Sequence, residues 1–370
     1  MGEFDLIARY FTRPVRRAAL GVGDDCALLA PAPGMQLAVS SDMLVEGRHF
    51  FAGVDPEALG HKALAVNLSD LAACGARPLA FTLALALPRI DEPWLQGFAQ
   101  GLLQLADAHD CELVGGDTTA GPLNICVTIF GEVPAGQALL RSGARADDDI
   151  WVSGAPGEAR LALDALRGQL QLPAATLARL RVRLECPTPR VALGQVLRGL
   201  ASSAIDLSDG LLGDLGHVLK ASGVGAEIDA FAASDLLAAS AYQKSTAAQN
   251  TPSPSPLSHK GRGELGQRPG SSKEEGAKPA PPIALAPLGR GRGEGLPADT
   301  LLQCALAGGD DYELAFTAAP AQRAAVQAAG AASATPVTRI GRITPEPGLR
   351  LLDRTGGTLQ GRFASFDHFA

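Results

Sequence analysis

Six short segments of the sequence place aspartate beside glycine, serine, threonine or asparagine. They are residues 21–25, 40–42, 67–70, 115–119, 206–210 and 308–311. Taken singly, each has an ordinary explanation, because these residue types are common in turns and at helix N-termini. Asp70 is different, since it stands in a run of apolar residues where an unpaired carboxylate is costly to bury. A salt bridge to Lys62 or Arg77, the nearest bases in the sequence, is the alternative explanation for Asp70.

Together, the six acidic segments predict a site for divalent cations. We expect acidic turns at strand ends to converge on one rim of a sheet, the edge where α/β proteins bind ligands. Carboxylates gathered there repel one another, by about 4 kcal/mol for two charges about 4 Å apart at an effective dielectric constant near 20. Histidines are few and no Cys-x-x-Cys pair occurs, so oxygen ligands favour Mg²⁺ or a similar cation. The neighbouring glycines let backbone N–H groups approach phosphates, which indicates metal-dependent nucleotide chemistry.

Signatures of other phosphate-binding and acyl-transfer enzymes are missing. The sequence has no Gly-x-x-x-x-Gly-Lys-Ser/Thr loop, no His-Arg-Asp and Asp-Phe-Gly pair and no Gly-x-Ser-x-Gly elbow. A P-loop enzyme, a protein-kinase fold and a serine hydrolase are therefore disfavoured.

Composition limits the remaining classes of function. The chain has 370 residues, 46% of them hydrophobic, so it can bury a core in one large domain or two ordinary ones. With 32 basic and 39 acidic residues its net charge is −7, which disfavours nucleic acid and anionic membranes as partners. No apolar run reaches the ~18 residues of a membrane span, and no signal peptide is visible. The six cysteines are scattered, so we expect reduced thiols in a cytoplasmic protein.

Apolar patterning predicts two α/β halves joined near residues 140–148. In the first half the predicted strands are 35–41, 79–87, 111–114 and 123–133, and the predicted helices are 55–74 and 92–109. In the second half the predicted strands are 149–153, 203–206, 313–317, 337–343 and 349–352, and the predicted helices are 157–168, 189–202, 210–221 and 320–330. The segment 244–298 is rich in Pro and Gly and lacks aromatic residues, which predicts a disordered surface insertion.

Nine sequence blocks resemble the thiamine-monophosphate kinase family in the family's order. They are GEFDLIARYF at 2–11, GVGDDCALL at 21–29, SSDMLVEGRHF at 40–50, KALAVNLSDLAACGA at 62–76, LVGGDTTAGPL at 113–123, RSGA at 141–144, AIDLSDGLLGDLGH at 204–217, GGDDYEL at 308–314 and FDHF at 366–369. No single block is specific, but the joint match covers nearly the whole chain outside the insertion.

The resemblance implies a fold, a reaction and an assembly. The fold is the two-domain α/β fold shared with aminoimidazole ribonucleotide synthetase, with an N-terminal domain over 1–143 and a C-terminal domain over 144–370. The reaction is transfer of the γ-phosphoryl group of ATP to thiamine monophosphate, giving thiamine diphosphate and ADP with the help of several Mg²⁺ ions. The assembly is a homodimer in which the N-terminal domains pair their sheets.

The resemblance also implies roles for individual residues. The expected metal ligands are Asp25, Ser40, Ser41, Asp42, Asp70, Asp117, Asp206 and Asp209. The expected nucleotide contacts are Gly116, Asp117, Arg141 and Ser208. The expected thiamine phosphate contacts are His49, Asp310 and Phe366. No general base is expected, because the acceptor phosphate is already ionised at neutral pH and the difficulty lies in bringing two polyanions together.

Three departures and two alternatives accompany this resemblance. Family members more often carry Glu where Asp310 stands and Thr where Ser41 stands. The insertion at 244–298, shortly before the Asp310 turn, is also unusual. Another enzyme of the superfamily is the first alternative, namely aminoimidazole ribonucleotide synthetase, selenophosphate synthetase or a hydrogenase-maturation protein. Cys26 has no lysine nearby, which counts against selenophosphate synthetase. An inactive nucleotide-binding module is the second alternative, and the intact set of acids counts against it.

Overall fold

The computed structural model describes residues 2–23, 25–241, 296–359 and 363. The predicted insertion as far as residue 295 and the predicted substrate contact Phe366 lie outside the described residues. Within the described part of the chain, no helix is both long enough and apolar enough to cross a membrane.

The first half supplies one sheet and the helices that cover it. Its elements are α1 (Glu3–Leu6), a π-helical turn (Ile7–Phe11), β1 (Met35–Val45), α2 (Pro56–Ala73), β2 (Arg77–Leu87), α3 (Glu92–Ala108), β3 (Glu112–Ala120) and β4 (Asn124–Pro134). The four strands form a sheet in the order β1-β4-β2-β3, so β1 and β3 are its edges. Asp55 caps α2, because its side chain accepts hydrogen bonds from Glu57 N and Ala58 N, and Pro56 takes the first helical position.

The second half supplies a larger mixed sheet. Its elements are β5 (Asp149–Ser153), α4 (Glu158–Leu166), α5 (Ala174–Glu185), α6 (Val191–Leu197), β6 (Ser203–Asp206), α7 (Leu211–Ser222), β7 (Gly225–Asp229), α8 (Ala230–Ala241), α9 (Ala298–Ala307), β8 (Leu314–Ala318), a 3₁₀ turn (Pro320–Gln322), α10 (Arg323–Ala332), β9 (Val337–Thr344) and β10 (Gly348–Leu352). The strand order is β10-β7-β9-β5-β8-β6.

The predicted mixed α/β class is confirmed, but two of the acidic segments lie in a different setting from the one predicted. The segments 40–42 and 115–119 were expected to be turns at strand ends, and both are inside strands, since β1 continues to Val45 and β3 to Ala120. The reason is pairing with neighbouring strands. β1 pairs with β4 along its whole length, and β3 continues beside β2 past the glycines, so ladder hydrogen bonds override the weak strand preference of Asp, Ser and Gly.

Four elements of the second half were not predicted, namely α5, β7, α8 and α9. The sequence of α5 alternates arginine with apolar residues, and only Leu180 and Leu184 are buried. The strand β7 is five residues long and buried by its neighbours. Such short or half-polar segments acquire their structure from tertiary packing rather than from a local pattern.

Helix α2 lies at the centre of the packing between the two halves. One side of it crosses α3 so closely that a Cβ added at Gly60 would collide with the carbonyl oxygen of Phe98. On another side, a Cβ added at Gly194 of α6 would collide with the carbonyl oxygen of Ala72. Leu64, Leu68 and the other apolar residues of the helix are buried in the main core. Polar residues on α2 are therefore held at fixed positions between the two sheets.

Candidate active site

Three carboxylates from three elements form an acidic cluster: Asp42 on β1, Asp70 on α2 and Asp206 at the end of β6. The carboxyl groups of Asp42 and Asp70 are close enough to interact through charge and hydrogen bonding. The negative charge of Asp70 also acts on Asp206. The backbone N–H of Asp42 donates to Asn67 Oδ1 at 3.2 Å. This hydrogen bond joins β1 to the face of α2 that also carries Asp70.

Hydroxyl groups orient two carboxylates of the acidic cluster. Ser40 Oγ donates to Asp70 Oδ2, and Ser69 Oγ donates to Asp206 Oδ2 at 2.9 Å. Ser69 is fully buried and Asp206 is 5% exposed. These serines fix the acids in place but bring no positive charge.

Burial and mutual repulsion raise the pKa of the acidic cluster. The pKa of Asp42 is raised to about 7 by burial and then by the charge of Asp70. The pKa of Asp206 is raised to about 8, again by burial first and by Asp70 second. Burial also raises the pKa of Asp70, against the opposing effects of the Ser40 hydrogen bond and the positive charge of Arg141. The acidic cluster therefore carries more negative charge than the surrounding protein neutralises, and a bound cation would relieve it.

The salt-bridge explanation for Asp70 is wrong. Lys62 Nζ instead contacts Asp310 Oδ1 at 2.8 Å, and Arg77 pairs with Glu132.

These pKa shifts predict a pH-dependent stability in the presence of a chelator. Folded-state pKa values above the unfolded value of about 3.9 mean that the folded protein binds more protons than the unfolded chain, so stability falls as pH rises from about 4 to 8. In Asp206→Asn, which cannot ionise at this position, the share of the loss that comes from Asp206 is absent. We expect the variant to exceed the wild type in free energy of unfolding at pH 8, with the gap closing towards pH 5. Denaturant titrations across this range measure the gap, and a gap independent of pH would contradict the assignment.

Two cavities meet at the acidic cluster, and Asp70 and Asp206 line both of them. The larger cavity has a volume of about 520 Å³ and combines carboxylates with apolar walls that include Phe50 and Leu59. The smaller has a volume of about 390 Å³ and includes Arg141. Two ligands can therefore occupy opposite sides of one carboxylate wall.

Most of the predicted site residues are brought together. Those lining the larger cavity are Ser41, Asp42, His49, Asp70, Asp206, Ser208, Asp209 and Asp310. Those lining the smaller cavity are Ser40, Asp70, Arg141 and Asp206. The loop between β6 and α7 contributes the 208–210 segment, which is held from behind by Asp214, whose carboxylate accepts from Asp209 N and Gly210 N at 3.1 and 3.0 Å.

Within a single chain, Asp117 does not join the acidic cluster. Asp117 of β3 pairs with Ala84 of β2. Ala84 pairs in turn with Cys126 of β4, and Cys126 pairs with Met43 of β1. Since paired residues share a face and strand neighbours alternate, Asp117 lies on the face opposite to Asp42. It is also three strands from β1, or about 14 Å. The adjacent Gly116 adopts a φ of 145° and likewise lines neither cavity.

Asp25 is also remote from the acidic cluster. It is exposed and lies in the segment before β1, where Val15, Ala27 and Leu29 pack against Ala80. Ala80 belongs to the side of β2 that faces away from α2 and α3, so Asp25 lies towards the same open face of the sheet as Asp117.

Several residues of the larger cavity were not predicted to belong to it, and two of them are Lys62 and Tyr312. The signal for Lys62 is the one that singled out Asp70, a charged residue within an apolar helical run. Tyr312 stands in the predicted GGDDYEL block, but its type alone does not distinguish a site residue from a core residue.

The described residues do not form a preassembled metal centre. No group of three or more His, Cys, Asp or Glu side chains in this part of the chain is arranged to hold an ion. This arrangement fits Mg²⁺ bound together with phosphate, because Mg²⁺ is usually held by one or two carboxylates, water and the oxygens of a phosphate ligand. The hydrogen-bonded pair Asp42 and Asp70, with Asp206 nearby, is a donor set of that kind.

The chain is similar to known proteins in sequence and in fold. Residues 23–133 match the family model described as AIR synthase related protein, N-terminal domain. The chain is 42% identical over 375 residues to thiamine-monophosphate kinase of Salmonella typhimurium, which covers 100% of this chain and 98% of the relative. Among solved structures it is similar to thiamine-monophosphate kinase from Stenotrophomonas maltophilia K279a, with a TM-score of 0.71, 40% identity and 94% of each chain covered. AaThiL complexed with AMPPCP and TMP shares the fold at 24% identity and a TM-score of 0.66, over 92% of this chain and 89% of that one.

Proposed function

The chain belongs to the thiamine-monophosphate kinase family, and on that premise we propose that it transfers the γ-phosphoryl group of ATP to thiamine monophosphate. The products are thiamine diphosphate and ADP. The observation that carries the proposal is the pair of cavities that share Asp70 and Asp206 as a common wall. Donor and acceptor phosphates approaching from the two sides would meet at the acidic cluster.

The linings of the two cavities suggest which ligand each takes. We assign thiamine monophosphate to the larger cavity, because its apolar walls can pack against the rings of this ligand and the carboxylate of Asp310 can pair with the ligand's positive charge. His49 accepts a hydrogen bond from Val45 N at Nδ1, at 3.0 Å, so its neutral ring carries the proton on Nε2. We assign ATP phosphates to the smaller cavity, where Arg141 supplies a positive charge and a planar set of donors. Ser208, the other proposed nucleotide contact of the second half, lines the larger cavity together with Asp206, where the γ-phosphate would meet the acceptor.

We propose Mg²⁺ as the cation of this site, held by the acidic cluster and by phosphate oxygens. Ser40, Ser41 and Asp209, which line the two cavities, are additional proposed ligands. When bound, the ion screens the repulsion between two polyanions and stabilises charge on the transferred group. The residues of the chain hold the reactants in line, and none needs to remove a proton, since the acceptor phosphate is already ionised.

We further propose a homodimer formed through the open face and the edges of the first sheet. On β1, Val39 and Met43 are 56% and 53% exposed although both are apolar, and a second copy would cover them. The edges β1 and β3 lie on opposite sides of the sheet, so pairing the edges of two copies would place the partner's Asp117 beside β1. This arrangement would add Asp117, and with it Gly116 and Asp25, to a site that one chain leaves incomplete.

The division into domains and the compartment are also proposals. A boundary at residue 143 is supported by the sheets, since the first sheet ends at Pro134 and the second begins at Asp149. A cytoplasmic location is supported by the six cysteines, all of which are free thiols.

The test of function is a coupled assay with purified protein, ATP, Mg²⁺ and thiamine monophosphate. We expect thiamine diphosphate and ADP in equal amounts, and no turnover when a chelator removes the metal. Aminoimidazole ribonucleotide precursors and selenide serve as control acceptors. If ATP is consumed only with another acceptor, the proposed substrate is wrong, and if no nucleotide binds in calorimetry, the enzyme assignment is wrong as well.

A further inference from the structure

We propose that Lys62 is a positioning residue that builds the substrate end of the larger cavity. The inference rests on the proposed function, because it takes His49 and Asp310 as contacts of thiamine monophosphate. Lys62 lies on α2 two turns before Asp70, and its side chain is only 4% exposed. A buried ammonium is costly unless it is paired, so its partners identify what it holds in place.

The ammonium group of Lys62 joins the two segments that carry the substrate contacts. Its Nζ donates to Asp310 Oδ1 at 2.8 Å and to the carbonyl oxygen of His49 at 3.4 Å. His49 follows β1 in the first half, and Asp310 precedes β8 in the second half. One side chain of α2 therefore fixes the distance between the two walls of the cavity.

The side chain of Asp310 is held separately from the backbone of its turn. Asp310 and Tyr312 have φ values of 67° and 51°, a left-handed conformation that is unfavourable for residues other than glycine. Asp310 N donates to Ser208 O at 2.9 Å, and Tyr312 N donates to Leu207 O at 2.8 Å. These bonds hold the backbone of the turn, whereas the carboxylate of Asp310 is held by Lys62 and, at 3.4 Å, by the hydroxyl of Tyr312.

The stability of the folded protein does not by itself explain the Lys62–Asp310 pair. Buried ion pairs contribute little net stability, and apolar residues of similar volume often replace them without loss. Asp310 is 30% exposed, so water can solvate it when Lys62 is removed. Lys62→Met has nearly the same volume and suits the apolar surroundings. We therefore expect this variant to fold normally and to bind the acceptor poorly.

The experiment is a double-mutant cycle with Lys62→Met, Asp310→Asn and the combined variant. For Lys62→Met we expect the KM for thiamine monophosphate to rise about 10- to 100-fold, as for loss of a hydrogen bond to a charged group. The KM for ATP should stay within about twofold, because the nucleotide is assigned to the other cavity. In the combined variant the KM should be no higher than in the worse single variant, because Lys62 acts through Asp310.

Two further measurements separate positioning from folding. Calorimetric titration with thiamine monophosphate should show the same weakening without any turnover, and thermal unfolding should be unchanged. Lys62→Gln, which keeps a donor on a side chain one bond shorter, should recover part of the affinity, and it replaces Lys62→Met in the cycle if that variant does not fold.

The outcomes that overturn the inference differ from those that overturn the proposed function. If the effects of the two single variants multiply, or if the KM for ATP rises while that for thiamine monophosphate does not, Lys62 is not positioning Asp310. If the wild-type protein does not bind thiamine monophosphate, the proposed function is wrong, and so is the positioning role of Lys62 that rests on it.

Discussion

Replacing Asp42 with asparagine should reduce kcat about 10³-fold and leave the folded protein at least as stable as the wild type. The loss of activity follows because Asp42 is a proposed metal ligand, and metal stabilisation of a phosphoryl-transfer transition state contributes several kcal/mol. The gain in stability follows because the pKa of Asp42, raised to about 7, reports burial and repulsion from Asp70. Removing the charge relieves both costs, provided that no divalent ion is present.

The matched control is Asp235→Asn, which removes an exposed carboxylate paired with Arg354 on the surface. Steady-state rates with ATP and thiamine monophosphate should change less than about twofold, since such pairs contribute little. Melting temperatures measured with and without Mg²⁺ complete the comparison: Mg²⁺ with ATP should stabilise the wild type and the control much more than Asp42→Asn. An Asp42→Asn enzyme with nearly normal kcat would show that the acidic cluster does not hold the catalytic metal.

Mixing two inactive variants, Asp42→Ala and Asp117→Ala, should restore about a quarter of the wild-type activity. In the proposed dimer each site combines Asp42 of one chain with the partner's Asp117. A mixed dimer then has one site with both defects and one site with neither. Random exchange makes about half of the dimers mixed, and each of these has one intact site out of two, which gives the expected fraction.

The measurement is kcat after the two purified variants are unfolded together and refolded, with each variant refolded alone as the control. Both variants alone should be almost inactive. If the mixture is as inactive as its components while the protein is dimeric in sedimentation, Asp42 and Asp117 act within one chain. In that case the described geometry would have to change on ligand binding to bring the two acids together.

Several site residues were predictable because the residue type itself is unusual for its surroundings. Asp70 within an apolar helix and the acidic segments around Asp206 and Asp310 indicated chemistry before any fold was known. The structure places all three residues at one large cavity. The resemblance of the motifs to thiamine-monophosphate kinases gave the family, which the similarity to the Salmonella typhimurium enzyme confirms.

The local sequence pattern could not predict the secondary structure in which Asp42 and Asp117 lie. Asp42 and Asp117 were expected in turns and lie inside strands, because pairing along β4 and β2 overrides the preferences of single residues. Strand pairing then decides which face each side chain occupies, since a shift of one residue moves it to the other side of the sheet.

The amino-acid sequence was sufficient to identify the chemical groups available to this protein: many carboxylates, phosphate-compatible glycines and the motifs of one enzyme family. Those properties are local, since they depend on residue types and short spacings that survive in any conformation. The folded arrangement brings Asp42, Asp70 and Asp206 together between two cavities, leaves Asp25 and Asp117 elsewhere in the single chain, and pairs Lys62 with Asp310 rather than Asp70. Distances between residues far apart in sequence are set by sheet order, register and helix packing, and the patterns within a single segment do not encode them.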